Sequence, residues 1–387
     1  MNKFYNFGAL ALVGLVLLVG IWTISRQSSI DVLLCVYDVG DAGPLERVAA
    51  KFDQEKISYK IVALGKAAEK LKGSASLQKM GYLDSDTIVN WPRGGLLDVS
   101  SLDELRALNP KIVMVGMASA FQAQLLNEFG SDGVFTVAFY DNFDPITTKE
   151  YVQPFLKEVG KIDVYMIPAK ATLKSFQEHE KTKSAKLEVV GQPMLEEWDE
   201  IFTVTKRADL RKKIGLADVD QVVLFVGGYD DTYQEYFTRF VQGAKKLEGQ
   251  KDVKFLVTYH PKTDGSLEKK VIAEQKATNI HVVDKGGPSS MQLATLAKVL
   301  VCHKSGMGMQ ALYKGLSVVY VVKKGSYPNF ALEQGLAEQV ETADEVAETF
   351  RRLLASANSN RADIKDLGVP RDATLAIVGK IKEHIGK

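Results

Sequence analysis

The chain has 387 residues, which is more than one ordinary domain, so its length predicts two globular units. Hydrophobic residues make up 46% and charged residues 25% of the chain, a composition that supports a sizeable core. A formal net charge of +1 argues against a surface that holds nucleic acid through counterion release. Cys35 and Cys302 lie in apolar runs, so we expect buried thiols. No His/Cys cluster has metal-ligand spacing, and we predict no metal site.

The first residues depart from this globular composition. Residues 7–24, FGALALVGLVLLVGIWTI, carry no charge and are long enough to cross a bilayer as a helix. Trp22 near one end, with Lys3 and Arg26 on the flanks, suits the membrane interface. A cleaved signal peptide is the alternative, but the apolar stretch is long for one and no A-x-A-like cleavage site follows it. We predict that residues 1–29 form an uncleaved single-pass anchor, whose orientation the flanking charges do not determine.

After this segment, apolar runs and amphipathic stretches alternate up to residue 193. A polar helical segment at 195–216 interrupts the alternation, which resumes at residue 221. Strands rich in Val, Ile and Leu and separated by helices indicate parallel sheets covered on both faces. The sequence therefore predicts two doubly wound, Rossmann-like α/β domains, residues 30–194 and 195–387. We expect them to face each other across a cleft, with ligand at the carboxyl ends of the strands.

The predicted elements follow in chain order. In the first domain the expected helices are 44–55, 101–109 and 119–130, and the expected strands are 30–39, 58–65, 86–92, 111–117, 134–141, 162–169 and 186–193. In the second domain the expected strands are 221–231, 253–261 and 280–285, and the expected helices are 232–247, 266–277 and 290–298. The stretch VLVCHKSGMGMQALYKGLSVVYVV, residues 299–322, then predicts a strand, a Ser-Gly-Met-Gly loop, a short helix and a second strand from Ser317.

Three of these segments resemble the GT-B-fold glycosyltransferase superfamily. VVGQPMLEEWDEI with RADLRKKIGLADVDQVVLFVGG (189–228) looks like the interdomain crossing, in which a Gly-x-Pro turn leads through a helix into the donor domain. SSMQLATLAKVLVCHKSGMGMQALYKGLSVVYVV (289–322) is similar to the donor loop, where a helix stands over a nucleotide diphosphate. NPKIVMVGMASAFQAQLLNEFGSDGVFTVAFYD (109–141) is similar to the acceptor domain. The resemblance spans about residues 30–340 and extends to UDP-GlcNAc 2-epimerase-like and glycerophosphotransferase-like proteins.

The candidate residues of the first domain lie in DVGDAGP, residues 38–44, which follows the first strand and opens the first helix. The resemblance implies that this Gly-rich loop approaches the acceptor or the diphosphate. Glycines let the backbone come close to a ligand, and an aspartate can take the proton of an acceptor hydroxyl; the candidates are Gly40, Gly43, Asp38 and Asp41. The alternative is a helix N-cap with turn glycines. Asp141, at another strand end, either faces the cleft or caps an irregular segment.

The donor-binding candidates lie in three segments of the second domain: Gly227, Gly228, His260, Lys262, Lys304, Ser305, Gly306, Met307 and Gln310. The two adjacent glycines leave room for phosphates or allow tight strand-to-helix packing. The His-Pro of TYHPK is similar to one found near the donor in related proteins, and a surface histidine is its alternative. The resemblance implies a β-phosphate on the Ser-Gly-Met-Gly loop. Many retaining relatives carry Glu where Gln310 is the nearest match.

These residues predict a membrane-anchored, glycosyltransferase-like protein that moves a sugar from a nucleotide-diphosphate donor to an envelope, glycan or lipid-linked acceptor. We expect no cofactor, no nucleic-acid partner, and cytoplasmic catalytic domains, because such donors are made there. A non-catalytic binding or scaffold protein is the alternative, favoured by Gln310 and by the lack of a His in the first loop. A nucleotide-sugar 2-epimerase ranks lower, because VGMASAF (115–121) lacks the acid that hydrolysing epimerases carry there.

Overall fold

The computed structural model describes residues 29–81, 83–260, 263–356 and 368–386. Within those ranges, no helix combines the length and the apolar character needed to cross a membrane. The predicted anchor at 7–24 lies outside the described residues. The described chain forms two six-stranded sheets in which all strands are parallel, so the predicted pair of α/β units is confirmed.

The first sheet contains β1 Val32–Val36, β2 Tyr59–Ala63, β3 Ile112–Gly116, β4 Phe135–Phe139, β5 Val164–Ile167 and β6 Lys186–Val189. The helices around it are α1 Val39–Glu55, α2 Lys66–Lys70, α3 Ser85–Val89, α4 Val99–Arg106, α5 Ala120–Ser131, α6 Gln153–Glu158 and α7 Leu173–Glu178. Short 3-10 turns lie at Ile146–Thr148, Glu150–Val152 and Lys170–Thr172. The strand order is β2-β1-β3-β4-β5-β6.

Helices α8 Met194–Val204 and α9 Arg207–Lys213 lead to the second sheet. Its strands are β7 Gln221–Val226, β8 Val253–Thr258, β9 Ile280–Val282, β10 Ala297–Cys302, β11 Ser317–Val321 and β12 Glu338–Val340. The remaining helices are α10 Tyr233–Lys245, α11 Ser266–Gln275, α12 Ser290–Ala294, α13 Met307–Tyr313, α14 Phe330–Glu333, α15 Ala343–Ala355 and α16 Ala373–Ile385. The strand order is β12-β11-β10-β7-β8-β9.

Helix α1 begins at Val39, earlier than the start predicted at residue 44. The carboxylate of Asp38 accepts hydrogen bonds from the N–H groups of Val39 and Asp41, and the carboxylate of Asp41 accepts one from the N–H of Asp38. This reciprocal pair forms a capping box, which satisfies N–H groups that a helix start leaves unpaired. The stretch 38–44 is therefore the beginning of a helix, with Pro44 inside it, and the N-cap alternative describes its local structure.

The strand predicted at 86–92 is wrong, because Ser85–Val89 is a helix. The carboxylate of Asp84 accepts hydrogen bonds from the N–H and the hydroxyl of Thr87, at 2.7 and 3.0 Å, and so caps the first turn. No side chain of this helix is buried, so the segment lacks the covered face that stabilises a strand in a sheet.

The strands bury side chains on both faces of each sheet. On β1, Leu33 and Cys35 belong to one core with Phe121 of α5, and Val32 and Leu34 belong to the opposite core with α1. The last helix, α16, joins this second core through Ile377, Val378 and Ile381. The end of the chain thus returns from the second sheet and contributes to the core of the first.

Each sheet has a point at which the strand order reverses direction. In the first sheet this point lies between β1 and β3, and in the second it lies between β7 and β10. In open α/β sheets the connections leave these neighbouring carboxyl ends in opposite directions, which opens a crevice where ligands bind. The residues that follow β1, β7 and β10 are therefore the ones to consider as a site.

Candidate functional site

Asp41 is buried beneath the start of α1, with 2% of its surface exposed. Its carboxylate accepts hydrogen bonds from the N–H groups of Tyr37 and Asp38, at 3.1 and 2.8 Å, and from the Gln122 amide at 2.7 Å. The Gln122 amide nitrogen also donates to the Cys35 carbonyl, at 3.1 Å. The carboxylate therefore links β1, α1 and α5, and both of its oxygens are already used by donors inside the protein.

The end of β3 is shaped to receive the Asp41 carboxylate. A Cβ atom on Gly116, the last residue of β3, would lie 2.2 Å from Asp41 Oδ2. No side chain larger than hydrogen fits there without moving the carboxylate. Burial, and after it the charge of Asp141, raises the pKa of Asp41 to about 7.

Asp141 follows β4 and is half-buried beside the start of α1. The Tyr151 hydroxyl donates to its carboxylate at 3.2 Å. Gly40 allows the close approach of the helix, because a Cβ atom there would lie 2.6 Å from Asp141 Oδ2. Burial raises the pKa of Asp141 to about 6, with the hydrogen bond from Tyr151 opposing the shift and the charge of Asp38 adding to it. The pKa of this half-buried carboxyl is thus raised towards neutral pH.

Asp38 forms an ion pair with Arg93 at 2.8 Å while its own side chain stays 40% exposed. The Arg93 guanidinium also donates to the Ala118 carbonyl at 2.6 Å and lies over the rings of Tyr37 and Tyr151, at 5.0 and 5.8 Å. Sequence reasoning missed this arginine, which lies between helices in a segment without a recognisable motif. It connects two of the strand-end segments around the first switch point.

Three further glycine candidates, Gly43, Gly227 and Gly228, make close packing contacts. A Cβ atom on Gly43 would lie 3.0 Å from the sulfur of Met194 on α8. On Gly227 it would lie 2.7 Å from the Cα of Tyr259, where β7 and β8 end side by side. On Gly228 it would lie 2.9 Å from the ring of Tyr233, the first residue of α10. Packing alone accounts for the absence of a side chain at these positions.

A buried histidine follows β10 at the second switch point. His303 is 1% exposed, and its Nδ1 lies 2.9 Å from the Val321 carbonyl. Because a carbonyl only accepts, Nδ1 carries the proton in this contact. Its Nε2 lies 3.0 Å from the Thr232 hydroxyl and 3.2 Å from the Asp230 carboxylate. The sequence signal for this residue was its position directly after a Val-rich strand, but no role was predicted for it.

Lys304 joins the same group from the next position. Its ammonium lies 2.9 Å from the Asp230 carboxylate and 3.2 Å from the Thr232 hydroxyl. Burial opposes ionisation, but the hydrogen bonds from Lys304 and Thr232 and the nearby His303 hold the pKa of Asp230 well below its ordinary value. The lysine predicted to meet a diphosphate is therefore held at the switch point by an ion pair across the ends of β7 and β10.

The two glycines of the Ser-Gly-Met-Gly loop differ in their surroundings. A Cβ atom added to Gly306 would meet no heavy atom of the described chain within 4 Å, whereas one added to Gly308 would lie 2.1 Å from the Tyr320 hydroxyl oxygen. The Ser305 hydroxyl accepts a hydrogen bond from the N–H of Met307, the first residue of α13, at 3.2 Å. Of these two glycines, only Gly306 thus has open space beside it in the described chain.

The other donor-side candidates have these positions. The amide oxygen of Gln310 accepts the indole N–H of Trp198, on α8, at 3.0 Å. The ring of His260 lies 4.2 Å from the ring of Tyr229, measured between centroids. Lys262 lies outside the described residues. The Gln310 side chain is thus directed toward α8.

A series of contacts connects the Ser-Gly-Met-Gly loop to the first domain. The Tyr320 hydroxyl donates to the Ser305 carbonyl at 3.3 Å, and the Tyr320 ring lies 5.7 Å from the ring of Tyr327. The Lys149 ammonium lies 5.8 Å from the Tyr327 ring and forms an ion pair with Asp144, three residues after Asp141 in the loop that follows β4. The loop that follows β4 in the first domain therefore contacts the segment that follows β11, next to the second switch point.

No family model matches the chain, and no curated protein matches it. Solved structures share its architecture at low sequence identity. UDP-GlcNAc 2-epimerase from Neisseria meningitidis bound to UDP-GlcNAc has a TM-score of 0.64 and 12% identity, over 92% of this chain and 100% of that one. The S. aureus MnaA–UDP structure gives 0.65 and 11%, over 92% and 97%. A glycosyltransferase from Rickettsia africae gives 0.61 and 13%, over 93% and 99%.

These similarities establish the fold. The chain has the two-domain GT-B fold, and the structures that share it include nucleotide-sugar epimerases and a glycosyltransferase. The expected resemblance to that superfamily is thereby confirmed at the level of architecture.

Proposed function

We propose that this protein binds a nucleoside-diphosphate sugar in its cleft and transfers the sugar to an acceptor hydroxyl. The observation that carries the proposal is the open space above Gly306, at the switch point of the second sheet and beside Lys304. A diphosphate there lies at the start of α13, beside Lys304, and meets no side chain at Gly306. The UDP and UDP-GlcNAc named in two structures of the same fold support this class of ligand.

On the donor side, Lys304 offsets the charge that develops on the leaving diphosphate. Its ion pair with Asp230 keeps the ammonium at the ends of β7 and β10 before the donor arrives. A charge held in place in this way needs little rearrangement during the reaction. Lys262 and His260, in the neighbouring strand-end segment, complete the donor side of the proposal.

On the acceptor side, Asp141 fits the role of general base better than Asp38 or Asp41. The Asp41 carboxylate is buried and occupied by N–H donors, and Asp38 is paired with Arg93. Asp141 is half-buried, is oriented by Tyr151, and has a pKa raised to about 6. A base with a pKa near the working pH combines a useful ionised fraction with useful proton affinity.

A thermal-shift screen with UDP, GDP, CDP and their sugars tests the proposed binding. One nucleotide diphosphate is expected to raise the melting temperature in proportion to the logarithm of its concentration, because it binds only the folded chain. Loss of sugar from that donor, with release of the nucleotide, then tests turnover. If none of the nucleotides raises the melting temperature, the proposal fails.

A non-catalytic binding protein is the second candidate, and two observations favour it. Lys304 is already paired with Asp230, and the amide oxygen of Gln310 is already paired with Trp198. Nucleotide binding without donor consumption, at pH values on both sides of the Asp141 pKa, supports this candidate. Conversion of the donor sugar to its C2 epimer without any acceptor supports the epimerase alternative.

The proposal includes an N-terminal membrane anchor, cytoplasmic catalytic domains and an envelope, glycan or lipid-linked acceptor. The uncharged run at 7–24 supports the anchor. The described chain starts at the amino end of β1, where the Ser29 hydroxyl donates to the Asn109 carbonyl at 2.9 Å. In a parallel sheet this end is opposite the carboxyl ends that line the cleft, so an anchor attached there leaves the cleft clear.

A further inference from the structure

Helix α8 contacts the helix that follows the Ser-Gly-Met-Gly loop through several side chains. The Asp199 carboxylate accepts hydrogen bonds from the Tyr313 hydroxyl at 2.7 Å and from the Lys314 ammonium at 2.6 Å. Trp198, the preceding residue, donates its indole N–H to Gln310 at 3.0 Å. These contacts hold both the middle and the end of α13.

Helix α8 also contacts the first domain. Glu196 accepts hydrogen bonds from the N–H and the hydroxyl of Thr374 on α16, at 2.8 and 2.6 Å. Arg47 of α1 lies 3.8 Å from Glu196 and forms an ion pair with Glu200. Positions four residues apart share a helix face, so Glu196 and Glu200 lie on one face of α8. Both contact α1 through Arg47, and Glu196 also contacts α16.

Helix α8 is thus fixed at once to α13, which follows the Ser-Gly-Met-Gly loop, and to α1, which Asp38 caps and whose first turn carries Asp41. The link is polar and directional, since hydrogen bonds weaken steeply when their geometry changes. A shift of α13 on ligand binding therefore requires either a matching shift of α8 or the loss of these bonds.

We propose that Asp199 and Trp198 are positioning residues, which hold the donor-loop helix in register and couple its movement through α8 to the start of α1. Only the ligand-dependent part of this inference, the coupling, rests on the proposed nucleotide site. Gln310, in this arrangement, serves to fix α13 against α8. Neither Asp199 nor Trp198 is expected to contact the nucleotide.

The test compares Asp199→Asn with Asp209→Asn in the full-length chain. Asp209 lies on α9, is exposed, and has a matched change of charge. Amide hydrogen exchange is measured over residues 305–313 and 39–43, with and without UDP. Asp199→Asn is expected to speed exchange over 305–313 without ligand, to weaken UDP binding by at least about fivefold, and to remove the UDP-dependent protection of 39–43.

Lys314→Gln gives an independent check from the partner side. If Asp199 and Lys314 act as a pair, the double variant loses little more UDP affinity than either single variant. Exchange and affinity that match those of Asp209→Asn would overturn the inference. If the parent binds no UDP, GDP or CDP, the proposed function fails, and the exchange of 305–313 in the ligand-free variants still decides whether Asp199 positions α13.

Discussion

At the scale of single residues, the cleft is defined by where side chains are absent. Gly306 and Gly308 are two positions apart in one loop, yet only Gly308 is required by packing, because its missing side chain makes room for the Tyr320 hydroxyl. Gly306 has an ordinary helical φ of −63°, which any residue can adopt. The sequence alone treats the two glycines as equivalent, and only the surrounding atoms distinguish them.

This difference predicts unequal effects of the same substitution on stability. Gly308→Val should lower the free energy of unfolding by about 1–3 kcal/mol, because the added methyl groups displace Tyr320. Gly306→Val should change it by less than about 0.5 kcal/mol, as for a surface substitution. Urea unfolding of both variants measures this. Equal losses would show that the space above Gly306 is filled in solution.

The buried carboxyl of Asp41 predicts a pH dependence of stability. Its pKa is about 7 in the folded protein against an ordinary value of 3.8, so between these values the folded state holds a proton that the unfolded state has released. The free energy of unfolding should therefore fall as pH rises through this window, by on the order of a few kcal/mol, and level off above it.

Urea unfolding at about pH 5 and at about pH 8 measures the effect, with Asp41→Asn as the comparison. The variant loses the charged carboxylate, so its free energy of unfolding should change less across the window than that of the parent. The comparison uses the change with pH and not the absolute stability of the variant. An amide nitrogen in place of Oδ2 would face the Gln122 amide nitrogen, and two donors cannot hydrogen-bond to each other. Parallel pH profiles would contradict the assignment.

At the scale of elements, β3 and α1 fit together through one glycine. Gly116→Ala would place a methyl group 2.2 Å from the Asp41 carboxylate and disturb the cap of α1. We expect a loss of about 1–3 kcal/mol in urea unfolding. Gly379→Ala is the control, because it lies inside α16 with no atom of the described chain near the added carbon, and it should gain about 0.5–1 kcal/mol. Similar effects of both substitutions would contradict this packing.

Most elements could be predicted from the sequence because buried parallel strands are continuous apolar runs, as in Val32–Val36 and Gln221–Val226. The prediction was wrong at 86–92, where β-branched residues suggested a strand and the Asp84 cap decided for a helix. The start of α1 was placed late because Pro44 is typical of a first turn, whereas the capping aspartates lie before it. Local caps, which depend on one side chain, outweighed propensity in both places.

At the scale of the whole molecule, the candidate site depends on contacts between residues far apart in the chain. The ion pair of Asp38 with Arg93 and the group formed by Asp230, His303 and Lys304 join segments that no motif connects. The return of α16 to the first domain is likewise invisible in the sequence, because its apolar face does not specify a partner. Sequence reasoning found the strand ends but not these pairings.

The described residues carry complete cores for both sheets, so removal of the segment before them predicts a soluble protein. A chain that lacks residues 1–28 should remain folded and leave the membrane fraction, because Ile30 and the residues after it supply the core of the first domain. Fractionation after a high-salt wash, with circular dichroism of the soluble chain, measures this. A truncated chain that stays with membranes would contradict the proposed anchor and require a second membrane-binding surface.

The most direct test of the nucleotide site is a calorimetric titration of the parent and of Gly306→Val with the same nucleotide diphosphate. A valine there fills the open space beside Lys304, so binding should weaken by at least about tenfold, or about 1.4 kcal/mol. The free energy of unfolding, measured on the same samples, should stay unchanged. Equal affinity of the parent and the variant would contradict the account, because the diphosphate would then lie elsewhere.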